Sequence, residues 1–541
     1  MSDSKFHIED ETRQYFAEGE LLQETSTLLP ETPRPSETAR LIRTVGLNTF
    51  YQIGAQVAPA IAAVAAIPIL LRYLGAEPYG IVTLFSTALI YFTMLDLGLG
   101  RASTRFIAQS LEAKQPEDVR RYFWSSILLL TAAGVVVSLC FLLAVPSLVS
   151  NYLKISPAYH RAAIESFRVI SVTIPLVTLT AGLRGFLEAS GRFPFLSLVT
   201  AFTGVGMYVL PVLVVMAGGG LVWIAIAYVL VRIGLAAAFA IGCLRVKGRP
   251  SLRPALSSKA IKNMVSFGGW LSVSNVVGTG MVYGDRFLLG SCVGMVAVTS
   301  YSMPLDVIGR MQIVITSFCA VLFPLMSRLD SSGSAHFQTV YRGAVAIVMS
   351  LLTPMTVGMI LLSPFLMKIW LRARNTPDAV FSAEVFLAGS IVQAMAFVSF
   401  TALHARGRSD LTAGVHMTEF PIYCVAFYWA ATRFGVRGAS LVWLGRAVVD
   451  FICMAVSLQI QERGRSILVP EMAAALVSIG ILVMVALKTP NAALLGAGLC
   501  IATWLWSWRA LLDSRLRFQF SRAIGSARSL LGEMAGTHQN R

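Results

Sequence analysis

The chain places charged side chains where charge is expensive. Asp285 and Arg286 stand side by side at the end of one apolar run. Asp306 and Arg310 lie four apart inside another, as do Arg446 and Asp450, while His416 and Glu419 lie three apart. Asp96 and Arg101 bracket Leu97-Gly98-Leu99-Gly100. An ionised group at the centre of a membrane helix costs about 2.5–3.5 kcal/mol on insertion scales, so such residues turn towards the interior of a bundle or a water-filled path. There they either pair to hold helices together or contact a polar substrate or ion. Neighbours on a helix do not face each other, so Asp285 and Arg286 need separate partners. The four-residue spacings instead suit intrahelical ion pairs, Asp306 with Arg310 and Arg446 with Asp450. His416 with Glu419 is either a proton-exchanging couple or a hydrogen-bonded helix contact.

Uncharged polar groups follow the same logic. Asn48, Gln52 and Gln56 recur at four-residue steps and share one helix face, which must meet protein or water. The stretch Gly268-Gly269-Trp270-Leu271-Ser272-Val273-Ser274-Asn275 is also small and polar on part of its surface. Such amides either join helices or line a substrate path. Soluble-enzyme chemistry is missing: there is no phosphate-cradling glycine loop with its lysine, no metal-spaced His or Cys cluster and no nucleophile elbow. The six histidines are scattered from His7 to His538, and the seven cysteines fall in or beside apolar runs. They imply neither a cofactor nor a disulfide framework.

These side chains must be carried by membrane-spanning helices. With 56% hydrophobic and 13% charged residues, the chain departs from soluble proteins, in which about 25% of residues are charged. Its apolar blocks have the length that crosses about 30 Å of hydrocarbon as helix. About fourteen spans are expected, near 47–71, 79–99, 123–146, 167–187, 195–217, 221–244, 264–285, 296–323, 343–363, 382–403, 411–431, 438–458, 468–487 and 491–511. The polar, acidic residues 1–40 predict no cleavable leader. Basic loops after the second span (Arg101, Arg105, Lys114, Arg120, Arg121) and after the sixth (Arg245, Lys247, Arg249, Arg253, Lys259, Lys262) set the cytoplasmic side and put both termini there. The net charge of +16 is dispersed over loops and the C-terminal tail. It suits anionic headgroups, and no nucleic-acid partner is expected.

The hexapeptide Leu187-Glu188-Ala189-Ser190-Gly191-Arg192 returns as Leu403-His404-Ala405-Arg406-Gly407-Arg408, and Leu221-Val222-Trp223 returns as Leu441-Val442-Trp443. Two matches in one register predict a duplication. The fold class expected is an all-α polytopic membrane protein of two parallel six-helix repeats plus two C-terminal helices. The divisions would be a tail over 1–40, a lobe over 41–245, a cytoplasmic linker over 246–262, a second lobe over 263–460, two helices over 461–512 and a basic tail over 513–541. Each hexapeptide copy is expected as a turn at the membrane surface, outside the site. An even number of helices per repeat places a substrate path between the halves. No loop is long enough to house the catalytic groups of a membrane glycan polymerase.

Leu71-Arg72-Tyr73-Leu74-Gly75-Ala76-Glu77-Pro78-Tyr79-Gly80, then Leu95-Asp96-Leu97-Gly98-Leu99-Gly100, then Thr104-Arg105-Phe106 resemble the N-terminal signature of the polysaccharide transporter family. These are the O-antigen-type flippases of the multidrug/oligosaccharidyl-lipid/polysaccharide exporter superfamily. The second half agrees in Asp285-Arg286-Phe287-Leu288-Leu289-Gly290, Phe323-Pro324-Leu325-Met326-Ser327-Arg328 and Gly435-Val436-Arg437-Gly438-Ala439. The resemblance covers about 42–460. It implies a bacterial inner-membrane flippase for an undecaprenyl-diphosphate-linked oligosaccharide, working by alternating access and partnered by lipids and by polysaccharide polymerase machinery. A cationic cavity would bind the substrate through Arg72, Arg101, Arg286 and Arg310, with Asn48, Gln52, Gln56 and Asn275 as polar lining. Coupling to H⁺ or Na⁺ would fall to one of Asp96, Asp285, Asp306, Glu419 or Asp450. The alternatives are a multidrug or cation antiporter of the same superfamily and, from another class, a glycan polymerase.

Overall fold

Proline in the first turn starts four of the helices, at Pro116, Pro157, Pro194 and Pro377, where its missing N–H costs nothing. Two more starts are fastened by side chains, with Ser257 accepting from the Ala260 amide and Thr376 from the Ala379 amide. The structure is a computed structural model and describes residues 35–94, 99–246, 253–330, 334–461 and 491–511.

In chain order the helices are α1 (Pro35–Leu74), α2 (Ala76–Met94), α3 (Leu99–Glu112), α4 (Pro116–Ser147), α5 (Pro157–Ser171), α6 (Thr173–Ala189), α7 (Phe193–Met216) and α8 (Leu221–Leu244). They continue with α9 (Ser258–Cys292), α10 (Met295–Ile308), α11 (Gln312–Asp330), α12 (Ser334–Leu371), α13 (Pro377–Ala405), α14 (Ser409–Gln461) and α15 (Asn491–Leu511). Two compact units are formed, Met1–Tyr51, described from Pro35 onward as helix, and Gln52–Arg541, which holds the remaining elements.

The fold is all-α and polytopic. Among the described residues nine helices are long and apolar enough to cross a membrane, with a shorter apolar helix at Leu494–Trp508. α2 follows the second expected span as far as Met94, and α9 is helical across the seventh. The thirteenth expected span and both expected tails lie largely or wholly outside the described residues. Three expected spans differ in form. The eighth is broken by a 3-10 turn at Gly309–Met311, a few residues after Pro304 deprives α10 of a backbone donor. The eleventh and twelfth run together as α14, which reverses at Gly435 (φ 61°, ψ −139°) with no intervening loop. Only glycine tolerates that backbone, and the Gly438 Cα lies close under the Ala430 carbonyl.

The repeat is visible in the backbone. Arg192 N–H bonds to Leu187 C=O at 2.9 Å and Gly191 N–H to Glu188 C=O at 2.9 Å; Arg408 N–H bonds to Leu403 C=O at 3.0 Å and Gly407 N–H to His404 C=O at 3.0 Å. Both turns end a helix with the paired carbonyl caps of a Schellman motif, and Gly191 and Gly407 have φ of 70° and 71°. Gly75 and Gly294, and Gly218 and Gly435, are further left-handed glycine pairs, so three turns recur about 216–219 residues apart. Gly191→Ala and Gly407→Ala should each cost about 1 kcal/mol through this backbone alone. Thermal unfolding in detergent should show similar small downward shifts for the two, since a Cβ at either position meets nothing within 4 Å.

Each hexapeptide helix is largely enclosed by its neighbours. α6 packs against α3, α4 and α8, and α13 against α10, α11, α12 and α14. Around α13 the aromatic rings interlock: Tyr301 meets Phe386 edge-on at 5.0 Å, and Phe386 meets Trp443 at 4.9 Å. α2 lies against α9 and α10. There the Gly80 Cα faces the Met295 carbonyl so closely that a Cβ could not be added. Thr299 Oγ1 donates to Ala76 C=O at 2.6 Å, and the Lys154 amine donates to Cys292 C=O at 2.6 Å. These bonds seal α2 and the α4–α5 connection against the α9–α10 turn.

Candidate functional site

The buried charges gather in three places. At the first, α9 brings Asp285 and Arg286 to the seam with α2 and α10, both almost fully buried. They take separate partners. Tyr301 O–H donates to Asp285 Oδ2 at 2.6 Å, while Arg286 Nη2 donates to Asp306 Oδ1 at 2.6 Å and its Nη1 to Thr87 Oγ1 at 3.2 Å. Thr87 is on α2 and Asp306 on α10, so one guanidinium fastens the three helices. Arg310, in the 3-10 turn, reaches α7 and donates to the Tyr208 hydroxyl at 2.7 Å. The expected intrahelical pair of Asp306 with Arg310 is therefore not made. The 3-10 turn carries Arg310 off the α10 face, and Arg286 takes the carboxylate.

The second place is a cavity of about 490 Å³ among α2, α3, α6, α7 and α8. Its charged lining is Arg101, Arg184, Glu188 and Arg232, with Thr93, Thr104, Thr180, Thr200 and Thr203 between them. Arg184 Nε pairs with Glu188 Oε1 at 2.7 Å, one turn along α6, and Thr104 Oγ1 reaches Glu188 Oε2 at 3.4 Å. Arg232 is the only ionisable residue with a charge in the 24-residue α8. Its Nε is buried and has no acceptor among the described residues.

In the third place, the reversal of α14 lays its two arms against each other, and partners form across the arms in place of along them. His416 Nε2 lies 3.3 Å from Asp450 Oδ1, and the Arg446 guanidinium sits 5.4 Å from the Tyr423 ring centre. The expected Arg446–Asp450 and His416–Glu419 pairs are replaced by these contacts. Both oxygens of Glu419 are buried without a hydrogen-bond partner among the described residues. No group of three His, Cys, Asp or Glu among the described residues could hold a metal.

Of the residues marked from sequence, Arg286, Asp285, Asp306 and Arg310 come together at the seam, Arg101 lines the cavity, and Glu419 and Asp450 lie in α14. Arg72 is exposed at the end of α1, apart from all three groups, and Gln56 is exposed as well. Asp96 and the side chains of Asn48, Gln52 and Asn275 lie outside the described residues. Arg184 and Arg232 also line the cavity, and spacing within one helix does not single them out. A lone arginine in the apolar run 221–244 was a sufficient signal. Glu188, in the first hexapeptide, lines the cavity as well.

Known proteins share this fold. The "Putative O-antigen transporter" of Shigella flexneri is 24% identical over 418 residues, covering 75% of this chain and 96% of that protein. Among solved structures, an inward-facing multidrug resistance MATE family transporter of the MOP superfamily superposes with a TM-score of 0.66 at 16% identity, covering 77% of this chain and all of that one. The lipid II flippase MurJ in an inward closed conformation gives 0.64 at 13% identity, covering 86% and 100%. These likenesses show the fold. A family model described as polysaccharide biosynthesis protein matches residues 45–330. That match spans more than half of the chain, including every helix that lines the arginine cavity and those that carry Arg286, Asp306 and Arg310, and the protein belongs to the polysaccharide biosynthesis protein family.

Proposed function

We propose that the protein is a flippase, not an enzyme, which carries an undecaprenyl-diphosphate-linked oligosaccharide across the bacterial inner membrane by alternating access. The observation that carries this reading is a polar, arginine-rich cavity inside an otherwise apolar helical bundle. A diphosphate bearing a glycan cannot enter hydrocarbon unaided, and guanidinium groups return the hydrogen bonds it loses on leaving water. The relative that is named an O-antigen transporter supports the substrate class. A pocket for cationic drugs would need the opposite charge, which disfavours the multidrug reading.

Coupling falls on the carboxylates of α14. Glu419, buried and unpaired, with Asp450 and His416 nearby, is suited to taking up H⁺ or Na⁺. The polymerase machinery that extends the glycan is the partner expected on the receiving side.

Reconstitution tests the reading. In liposomes loaded with a fluorescent lipid-linked oligosaccharide, the protein should bring the inner-leaflet probe to an outside lectin or quencher, and empty liposomes should not. In cells, deletion should abolish surface glycan and accumulate the lipid-linked intermediate. Normal display in the deletion strain, with no accumulation, would overturn the proposal.

A further inference from the structure

We propose that the diphosphate of the substrate binds inside the first-half cavity, on Arg101, Arg184 and Arg232, and that Glu188 occupies its place when the cavity is empty. The inference rests on the flippase reading and gives its headgroup a location. Three arginines against one glutamate leave two positive charges in the cavity. That is the complement of a diphosphate substituted at both ends, which carries two negative charges.

At the seam the balance is different. Arg286 is taken up by Asp306 and Thr87 and is buried among α2, α9 and α10, so it has little left to offer a ligand. In the cavity, Arg232 holds a buried nitrogen without an acceptor among the described residues, and among those residues neither it nor Arg101 is ion-paired to a carboxylate. An unpaired guanidinium in a half-buried site is costly, and an incoming anion relieves that cost. Arg184 is different, since it is already held by Glu188 at 2.7 Å. A phosphate oxygen replaces that carboxylate like for like, because both accept two-pronged bonds from a guanidinium.

The threonines complement the arginines. Thr93, Thr180 and Thr203 each donate their hydroxyl hydrogen to a carbonyl within their own helix. Their oxygens thus present lone pairs to the cavity, which suit the hydroxyl donors of a first sugar better than phosphate oxygens. The volume of about 490 Å³ lies in the range of small-molecule sites, about 300–1,000 Å³. In the second repeat His404 stands where Glu188 does and bonds to Thr412 Oγ1 at 2.9 Å.

The two roles predict opposite effects. Purified protein in nanodiscs is titrated with inorganic pyrophosphate and with farnesyl diphosphate, by calorimetry and by thermal stabilisation. Arg232→Gln should weaken binding of both probes about tenfold or more, and Arg232→Lys should weaken it less. Glu188→Gln should tighten binding, because a competing anion has been removed. Tighter binding of farnesyl diphosphate than of pyrophosphate identifies the lipid-linked form as the natural ligand, while equal binding of nucleoside diphosphates would point to a soluble one and count against the proposal. Unchanged binding in folded Arg232→Gln, with loss in Arg310→Gln, would move the headgroup to the α7 contact and overturn the location while leaving the flippase reading intact. Diphosphate binding that follows these predictions, in a wild-type protein that fails to flip the lipid-linked probe, would instead sink the flippase reading.

Discussion

Arg286→Ala should abolish delivery of glycan to the cell surface, and adding Asp306→Ala should restore a measurable part of it. The single substitution strands the Asp306 carboxylate, whose guanidinium partner at 2.6 Å is removed, and it cuts the tie to Thr87. Breaking a buried pair by deleting one member costs about 3–5 kcal/mol, most of it from the charge left behind. Asp306 is 24% exposed, so the lower end of that range is expected. Removing both charges takes away the stranded group and leaves only a packing defect. Surface glycan measured by lectin or antibody, normalised to protein in the membrane, separates the outcomes, and the unfolding midpoint in detergent should follow the same order. Full display by the single variant would show that the tie contributes nothing. Failure of the double variant to improve on it would place Arg286 in direct contact with substrate.

Gly80→Val should hold the α2–α10 seam open and stop transport, and Gly80→Ala should do so in part. A Cβ at this position collides with the Met295 backbone carbonyl, which no side-chain rotation can relieve. Overpacking of this kind costs about 1–3 kcal/mol, which shifts a closed–open equilibrium by about five- to 150-fold. Cys292 is a built-in reporter. It is buried at the end of α9, and its carbonyl accepts from Lys154 across the same seam. Its alkylation rate, read by mass spectrometry of its peptide, should rise in the order wild type, alanine, valine. Unchanged labelling with normal transport would mean that the seam does not open during the cycle.

The helices were legible because lipid leaves the backbone few alternatives, and apolar length then reports a span directly. The hexapeptide repeat likewise announced two turns that proved identical down to their carbonyl caps. Pairing among charges was less legible, because spacing reports only contacts within one helix. Asp306 and Arg310 satisfy the four-residue rule, yet each finds a partner on another element, α9 for one and α7 for the other. Arg446 and Asp450 fail the rule for a related reason, since Gly435 folds α14 back and brings His416 to Asp450. The cavity is not legible from paired spacing, because Arg232 is the lone charged residue of α8 and its Nε has no acceptor among the described residues. Arg101 alone was marked from sequence and also lines the cavity.

The anchoring of Arg286 bears on how the protein is made. α9 is rich in glycine and serine, and it carries adjacent Asp285 and Arg286 two turns before its end. A translocon offered this segment alone would gain little from passing it into lipid, at about 2.5–3.5 kcal/mol for a charge near the centre. The carboxylate that receives Arg286 comes one helix later on α10, while Thr87 is by then already in place on α2. Integration of α9 should therefore be completed only when α10 emerges from the ribosome, so that the two enter as a hairpin. A nascent chain stalled before Asp306 is exposed should remain extractable at this helix.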